Sequence, residues 1–231
     1  MATWVELVEH DTVRTVLTLL LLLFTTLLIR VSICLPAFAS KRLRKPKGRG
    51  FPGDTNKYVK TLVYFGSGGH TTEMMRLIER LDTRRYQPIV FAMGHTDITS
   101  QAKVRAGNLA IEPSARWFRL YRSREVKQSW TTTVFTTAWS CVQALYMVYR
   151  QRPQLLICNG PGTCVPLCYS AFLLRVLGLA DTVIVFAESY CRTDALSLSG
   201  RLVYPIADRF VVHWPALQEA HPRAEYLGQI L

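Results

Sequence analysis

The segment Thr61–Glu73 reads TLVYFGSGGHTTE, an apolar run followed by a glycine-rich stretch. The apolar run predicts a buried strand over Thr61–Phe65, and the periodic pattern beyond the glycines predicts a helix over Thr71–Leu81. A strand that leads through a glycine turn into a helix is typical of α/β proteins with a parallel sheet. The segment therefore predicts the first α/β unit of such a fold.

Short apolar runs continue to alternate with longer helical patterns along the rest of the chain. Further strands are predicted at Pro88–Ala92, Trp117–Tyr121, Leu155–Cys158, Thr182–Phe186 and Arg209–His213. Helices are predicted at Thr131–Gln151 and Thr163–Leu177, with a shorter one from Leu198. This order predicts an α/β fold with a Rossmann-like, doubly wound parallel sheet, forming one domain over residues 58–231.

A long apolar run precedes this domain. Val16–Leu35 reads VLTLLLLLFTTLLIRVSICL, and as a helix it would be about 30 Å long, the thickness of the hydrocarbon core of a bilayer. We expect a transmembrane helix at residues 16–35, after a short N-terminus at 1–15 and before a basic linker at 36–57. Arg30 stands near the end of the run, where its long side chain can reach the headgroups.

A cleaved signal peptide is the alternative, because Ala37 and Ala39 form an A-x-A-like site. However, the apolar run is longer than that of a usual signal peptide, and three acidic residues precede it. Strongly basic residues follow the supposed cleavage site, which opposes translocation. We therefore favour an anchor with a luminal N-terminus and a cytosolic domain.

The net charge of the 231-residue chain is +12. A run beside the apolar segment supplies six basic residues, Lys41, Arg42, Arg44, Lys45, Lys47 and Arg49. This run contains no aromatic residue, whereas nucleic-acid-binding surfaces combine basic and aromatic side chains on a folded face. We expect no nucleic-acid partner. The run can contact anionic lipid, although retention of the flank in the cytosol alone explains its charge.

The six cysteines lie mostly within apolar runs and form no CxxC pair, which favours reduced core thiols in a cytosolic domain. Cys164 and Cys168 are four residues apart on a predicted helix and could share a metal with His213. No second ligand pair has the spacing of a zinc site. We expect neither a metal nor a cofactor.

Glycines and polar residues follow three of the predicted strands directly. Ligands of such sheets bind at the carboxyl ends of the strands, so these positions form the candidate site. The candidate residues are Gly66, Ser67, Gly68, Gly69, His70 and Thr71 after the first strand, Asn159, Gly160, Gly162 and Thr163 after the fourth, and Glu188 and Arg192 after the fifth.

The glycine loop lets a ligand approach the backbone, and the helix after it presents unpaired N–H groups suited to a phosphate. Thr71 replaces the third glycine of GxGxxG, and no GK[ST] sequence follows. Neither a dinucleotide fingerprint nor a P-loop is therefore present. A tight turn capped by Thr71 or Thr72 is the alternative interpretation.

For three titratable residues of this region, the sequence suggests roles without deciding among them. His70 can bond a phosphate or take a proton from a sugar hydroxyl, and a structural turn histidine is the alternative. Glu188 ends an apolar strand, where a carboxylate is costly to bury unless it bonds an N–H or a ligand hydroxyl. We interpret Glu73 as an acidic residue near the N-terminus of the predicted helix, where its negative charge interacts favourably with the helix dipole.

Several motifs together resemble, in the same order, the eukaryotic Alg14 family. They are GSGGHTTE at Gly66–Glu73, TDITSQAK at Thr96–Lys103, SREVKQSW at Ser123–Trp130, CNGPGTCVP at Cys158–Pro166, ESYCR at Glu188–Arg192, LSLSGR at Leu196–Arg201, HWPAL at His213–Leu217 and YLGQIL at Tyr226–Leu231. The family is similar to the N-terminal, acceptor-side half of MurG-type transferases, GT-B enzymes with two Rossmann-like domains. The resemblance covers nearly the whole predicted domain.

The resemblance implies that the chain is half of an enzyme. With a donor-binding subunit, Alg13, the family transfers GlcNAc from UDP-GlcNAc to dolichyl-diphosphate-GlcNAc at the cytosolic face of the endoplasmic reticulum. The reaction is an inverting displacement that forms a β1,4 linkage, and a chain without the donor domain would be inactive alone. The resemblance also implies residence in the endoplasmic reticulum membrane or the nuclear envelope, and leaves open a contact with the preceding GlcNAc-1-phosphate transferase.

By the same resemblance, His70 and Glu188 are the candidates for the base that takes the proton of the acceptor hydroxyl. Gly68, Gly69, Asn159 and Gly162 would line the acceptor diphosphate and sugar, and helix termini would offset the phosphate charge without a metal. The rival hypothesis is a pure membrane-recruitment scaffold with no residue in the active site.

The C-terminal segment Tyr226–Leu231 is apolar to its end, although free termini are usually polar and frayed. It could fold back on its own domain as an edge strand or a helix cover. Alternatively it crosses to the partner through Leu227, Ile230 and Leu231, and the resemblance favours this second hypothesis.

Overall fold

Helices and strands alternate along the chain after a long N-terminal helix. The computed structural model describes residues 4–36, 58–107, 109, 115–123, 129–160 and 162–228. The helices are α1 (Trp4–Cys34), α2 (Gly69–Glu79), α3 (Ser100–Ala106), α4 (Trp130–Gln151), α5 (Cys164–Val176), α6 (Leu198–Val203) and α7 (Pro215–Ala220). The strands are β1 (Thr61–Phe65), β2 (Ile89–Gly94), β3 (Arg116–Leu120), β4 (Leu155–Asn159), β5 (Val183–Ala187), β6 (Arg209–Val212) and β7 (Ala224–Tyr226).

These strands form one parallel sheet in the order β3-β2-β1-β4-β5-β6-β7. Thr61 pairs with Ile89 on one side of β1 and with Leu155 of β4 on the other. This topology confirms the predicted Rossmann-like α/β fold. The strand order reverses between β1 and β4, and ligands of such sheets bind in the crevice outside the carboxyl ends of the strands at this switch point.

The six predicted strands match observed strands to within two residues at each end. The first domain helix differs in a way that affects the site, because α2 begins at Gly69 rather than Thr71 and so includes His70 in its first turn. The sequence does not predict α3, α7 or β7. These elements have seven, six and three residues, too few to show a clear periodicity.

The central strands are buried on both faces, which explains why they read as continuous apolar runs. Alternate residues of β1 serve opposite sides of the sheet. Leu62 and Tyr64 join the core with α4, α5 and α6, while Val63 and Phe65 pack with α2 and α3. The sheet therefore has helices on both faces and presents its carboxyl edge to ligands.

The N-terminal helix α1 has an apolar stretch, Thr12–Cys34, that is long and apolar enough to cross a membrane. Its side chains in this stretch are mostly exposed, and its last turn contacts α5. At the other end of the chain, β7 pairs with β6 at the sheet edge, so Tyr226 lies on its own domain. Ile230 and Leu231 lie outside the described residues.

Candidate functional site

The glycine loop between β1 and α2 forms the rim of the crevice. Gly68 occupies the N-cap position of α2 with φ 71°, in the left-handed region that favours glycine, and no side chain caps the helix. A Cβ added at Gly68, Gly69 or Gly162 would meet no atom within 4 Å. The loop and the first turn of α2 therefore border open space, as a phosphate site at a helix N-terminus requires.

A buried network beneath the loop fixes its shape. The Thr71 hydroxyl donates to the carbonyl of Gly66 at 2.6 Å and lies 2.7 Å from the Ser100 hydroxyl, which in turn bonds the Asp97 carboxylate. Burial alone would raise the pKa of Asp97, but hydrogen bonds from Ser100 and Thr99 lower it below its usual value of 3.8.

The Thr71 side chain therefore fixes the loop, and the expectation that Thr71 belongs to the phosphate-binding set stays a prediction. Its side chain is fully buried and its hydroxyl is already engaged. The supporting residues Asp97 and Ser100 lie within the quoted TDITSQAK motif, but nothing in their spacing assigned them to the loop.

His70 and Glu73 form a pair one helical turn apart on α2. Nδ1 of His70 lies 3.0 Å from Oε2 of Glu73, and both side chains are partly exposed. The imidazole packs against Gly160, where an added Cβ would lie 2.3 Å from Cε1 of His70. Gly160 has φ 56°, so both its backbone conformation and the contact with the ring favour glycine.

Residues from two further strand ends hold the Glu73 carboxylate. The Asn159 amide donates to the His70 carbonyl at 2.8 Å and to Glu73 at 3.3 Å. The Ser189 hydroxyl and the Tyr190 N–H donate to the other carboxylate oxygen at 3.0 and 3.2 Å. Burial alone would raise the pKa of Glu73, but the hydrogen bond and charge of His70 and the bonds from Ser189 and Tyr190 hold it below 4.5.

This geometry gives Glu73 a role that differs from the helix-dipole interpretation. The ionised Glu73 carboxylate accepts a hydrogen bond from the N–H at Nδ1 of His70. In the neutral ring the lone pair on Nε2 then remains available. Nε2 makes no hydrogen bond within the described part of the chain. His70 can therefore accept a proton at Nε2, and Glu73 stabilises the imidazolium that forms.

Glu188, the second candidate base, already accepts hydrogen bonds within the domain, and its role as a base stays a prediction. Its side chain is fully buried, and its two oxygens accept hydrogen bonds from the Ser189 N–H, the Ser197 N–H and the Ser197 hydroxyl at 3.0 to 3.1 Å. An added Cβ at Gly200 would lie 2.1 Å from Oε2. Glu188 thus ties the loop after β5 to the start of α6.

The remaining predicted residues divide into exposed and buried ones. Ser67 and Arg192 are exposed on the loops after β1 and β5. Thr163 is buried at the start of α5 beside the Tyr64 hydroxyl, which has a raised pKa because burial outweighs its hydrogen bond with Thr163. Thr163 therefore serves the core, while Ser67 and Arg192 remain accessible.

Lys103 is a cation of this region that the sequence did not single out. It lies on α3 and is exposed, and its Nζ is 3.4 Å from the carbonyl oxygen of Gly68. A lysine at this position adds positive charge beside the N-terminus of α2. The unpredicted helix α3 thus contributes to the mouth of the crevice.

His213 lies deeper, directly after β6. It is almost completely buried, and neither ring nitrogen has a hydrogen-bond partner among the described residues. Burial lowers the pKa of His213, opposed by the charge of Glu73 and by the adjacent main chain of Glu188 and Gly228. Leu227, which directly follows β7, is exposed. The end of β7 therefore leaves the sheet at the carboxyl edge, next to the Glu73 network.

Comparisons with known proteins agree with this architecture. The family model described as "Oligosaccharide biosynthesis protein Alg14 like" matches residues 61–230. The chain is 44% identical over 181 residues to the UDP-N-acetylglucosamine transferase subunit ALG14 of Homo sapiens, covering 75% of this chain and 83% of that protein. It is 39% identical over 222 residues to the protein of the same name from Yarrowia lipolytica, covering 94% and 98%.

A solved structure shares the fold. MurG of Acinetobacter baumannii superimposes with a TM-score of 0.50 at 12% identity, over 68% of this chain and 42% of the MurG chain. The expected similarity to part of MurG is thus confirmed at the level of the fold. The glycine loop and the Glu73 network lie within residues 61–230, which the family model matches, and the chain belongs to the Alg14-like family of oligosaccharide biosynthesis proteins.

Proposed function

We propose that the chain is a subunit of a UDP-GlcNAc transferase and that it supplies the acceptor side of the active-site crevice. The relatives carry the name of such a subunit. The observation that carries the proposal is the His70–Glu73 pair, which lies beside an open glycine loop at the switch between β1 and β4. A chain that served only to recruit another enzyme would need no such pair.

In the proposed reaction the acceptor is dolichyl-diphosphate-GlcNAc. Its diphosphate lies at the N-terminus of α2, where the N–H groups that follow Gly68 and the Lys103 ammonium offset its charge. The sugar then extends across the crevice toward Gly162, where the structure is open. No metal is required by this arrangement, because the helix terminus and the cationic side chain supply positive charge.

The chemical step is an inverting displacement. The 4-hydroxyl of the acceptor sugar gives its proton to Nε2 of His70 while its oxygen forms a bond to the anomeric carbon of the donor. The bond between that carbon and the UDP oxygen breaks, and UDP leaves with the bonding electron pair. Glu73 stabilises the imidazolium, and Asn159 and Ser189 keep the carboxylate in place.

The donor UDP-GlcNAc is bound mainly by a separate catalytic subunit of the Alg13 type. This partner covers the carboxyl edge of the sheet, where the crevice opens. Leu227 is exposed at the same edge, beyond the end of β7. We therefore assign Leu227, with Ile230 and Leu231 beyond it, to the contact with the partner.

In the proposed complex, α1 anchors the domain to a membrane, and we assign it to the cytosolic face of the endoplasmic reticulum. A second feature supports a place beside a bilayer. Between Trp130 and Tyr149, α4 carries no charged residue, and its outer face exposes Val134, Phe135, Trp139, Val142, Tyr146 and Tyr149. A face of this kind, with aromatic residues, suits a lipid headgroup region.

Reconstitution tests the proposal. This chain alone, the donor-binding partner alone and both together are assayed in liposomes with UDP-GlcNAc and the lipid acceptor. We expect transfer only when both chains are present. Full activity of the partner alone at equal membrane concentration would contradict the proposal, because this chain would then add no part of the active site.

A further inference from the structure

Arg30 of α1 contacts the domain in a way that the sequence does not predict. Its Nε donates to the carbonyl of Val176 at 2.9 Å and its Nη2 to the carbonyl of Arg175 at 3.1 Å. These carbonyls belong to the last turn of α5, which carries partial negative charge, and the Arg175 carbonyl also accepts the Gly178 N–H at 3.0 Å. Arg30 therefore caps the C-terminus of α5 rather than extending to the headgroups alone.

A second polar contact joins the domain to α1 through Arg175. This buried side chain donates to the Cys34 carbonyl at 3.4 Å and forms a two-pronged ion pair with Asp208 at 2.8 and 2.6 Å. Asp208 also accepts the N–H of Ile184 on β5 at 2.8 Å. The end of α1 is thus linked to the sheet through three successive polar contacts.

Apolar packing and backbone shape complete the junction. Cys34 is buried, and Leu35 packs against the hydrophobic core of the domain. Gly178, just past α5, has φ 73°, and an added Cβ there would lie 3.1 Å from Nη2 of Arg30. The junction between α1 and α5 therefore has its own polar, apolar and steric components, independent of residues 36–57.

We propose that Arg30 is a positioning residue that locks the membrane helix to α5 and so sets the orientation of the crevice relative to the bilayer. Without this lock, residues 36–57 would be the main tether between helix and domain, and a chain of that length allows many orientations. This inference rests on the proposed function in one respect: the acceptor is a lipid, which must reach the crevice from the membrane surface.

The first test asks whether the contacts of Arg30 with α5 hold the domain to α1 after the covalent link through residues 36–57 is cut. A protease site is placed within residues 36–57, the full-length chain is assembled with its partner in liposomes, and the site is cut. After mild detergent extraction, α1 is captured through an N-terminal tag. We expect the cleaved wild-type domain to remain with α1 and Arg30→Leu to lower this retention by about tenfold or more, since two charge-assisted hydrogen bonds are lost.

Two variants sharpen this test. Arg14→Leu removes the same charge from the same helix, where the side chain forms no hydrogen bond or ion pair with the described domain, and it should retain the domain like wild type. Arg30→Lys keeps the charge but cannot reach both carbonyls with a planar fork, so it should give intermediate retention. Release of the wild-type domain, or equal retention by Arg30→Leu, would overturn the proposal.

The second test measures positioning. Arg30→Leu should lower transfer to the long-chain lipid acceptor in liposomes by about tenfold while leaving transfer to a short-chain, water-soluble acceptor in detergent unchanged. Equal effects on the two acceptors, or none on either, would overturn the positioning role. If the wild-type complex transfers to neither acceptor, the proposed function fails, while the retention result still decides whether the lock exists.

Discussion

Glu73 connects three strand ends at the level of single residues. It bonds His70 on its own helix, Asn159 at the end of β4 and Ser189 after β5. Each partner donates a hydrogen bond, so the carboxylate stays ionised and holds one tautomer of the imidazole. The proposed base therefore depends on a residue that need not touch the substrate.

Glu73→Gln should lower transfer by about a hundredfold, because the neutral amide no longer stabilises the imidazolium. The measurement is the rate of GlcNAc transfer by the reconstituted complex at saturating substrates. Glu79→Gln, at the exposed end of the same helix, is the matched control and should transfer like wild type. A Glu73→Gln variant as fast as its control would argue against the His70–Glu73 pair as the base system.

The buried His213 leads to a prediction about how the stability of the fold depends on pH. Burial depresses its pKa, so the folded state favours the neutral ring, whereas the unfolded chain takes up the proton below about pH 6.5. Stability should therefore fall as pH drops below this value, by at most about 1.4 kcal/mol per pH unit. Unfolding of the full chain in detergent, followed at pH 7.5 and 5.5, measures this loss.

His213→Phe should remove this part of the pH dependence, because the aromatic ring cannot take up a proton. His221→Phe provides the control at a half-buried histidine after α7, and it should keep the dependence that arises from His213. If His213→Phe loses as much stability on acidification as wild type, His213 is not the group that responds.

The sequence named His70 and Glu188 as alternative candidate bases, whereas the structure places Glu73 beside His70. Glu73 and Glu188 both lie near the ends of predicted strands or helices, and both are glutamates. Neither position nor residue type therefore distinguishes them. The difference arises from side-chain direction. Because α2 begins at Gly69, Glu73 lies one turn from His70, while the loop to Ser197 folds over Glu188. Such directions depend on tertiary contacts that a periodic pattern does not contain.

At the level of elements, the long helices and central strands were predictable from their patterns, since these elements repeat a clear period or form continuous apolar runs. Three short elements, α3, α7 and β7, were not predicted, and two of them matter for the proposed function. Helix α3 brings Lys103 to the glycine loop, and β7 carries the chain to the carboxyl edge of the sheet. Neither contribution is visible without the folded arrangement.

The C-terminal segment begins on its own domain, and its crossing to the partner stays a prediction. Its first residue, Tyr226, belongs to β7 on its own domain, and Leu227 beyond it is exposed. Deleting residues 229–231 leaves β7 untouched and should abolish capture of the donor-binding partner while membrane insertion and folding persist. Co-purification of the two chains and the thermal unfolding of the truncated chain measure the two effects.

A truncated chain that still captures its partner would show that the contact lies elsewhere. A truncated chain that aggregates would indicate instead that the final residues are needed by their own domain. Both outcomes remove Ile230 and Leu231 from the proposed interface.

For the whole molecule, the basic residues after α1 predict the orientation in the membrane. Lys41–Arg49 should remain cytosolic, with the domain on the same side and the N-terminus in the lumen. Protease added to sealed microsomes should therefore digest the domain and spare an N-terminal tag. A protected domain with a cleaved tag would place the crevice on the opposite side from the proposed donor.

The central claim is that this chain contributes catalytic groups and does more than recruit its partner. The most direct measurement is the rate of GlcNAc transfer by the reconstituted two-chain complex with His70→Ala, beside a co-purification assay of the same variant. We predict a rate lower by about a hundredfold to ten-thousandfold with the partner still bound. Transfer at the wild-type rate by a complex that contains His70→Ala would contradict the account and leave the chain as a scaffold.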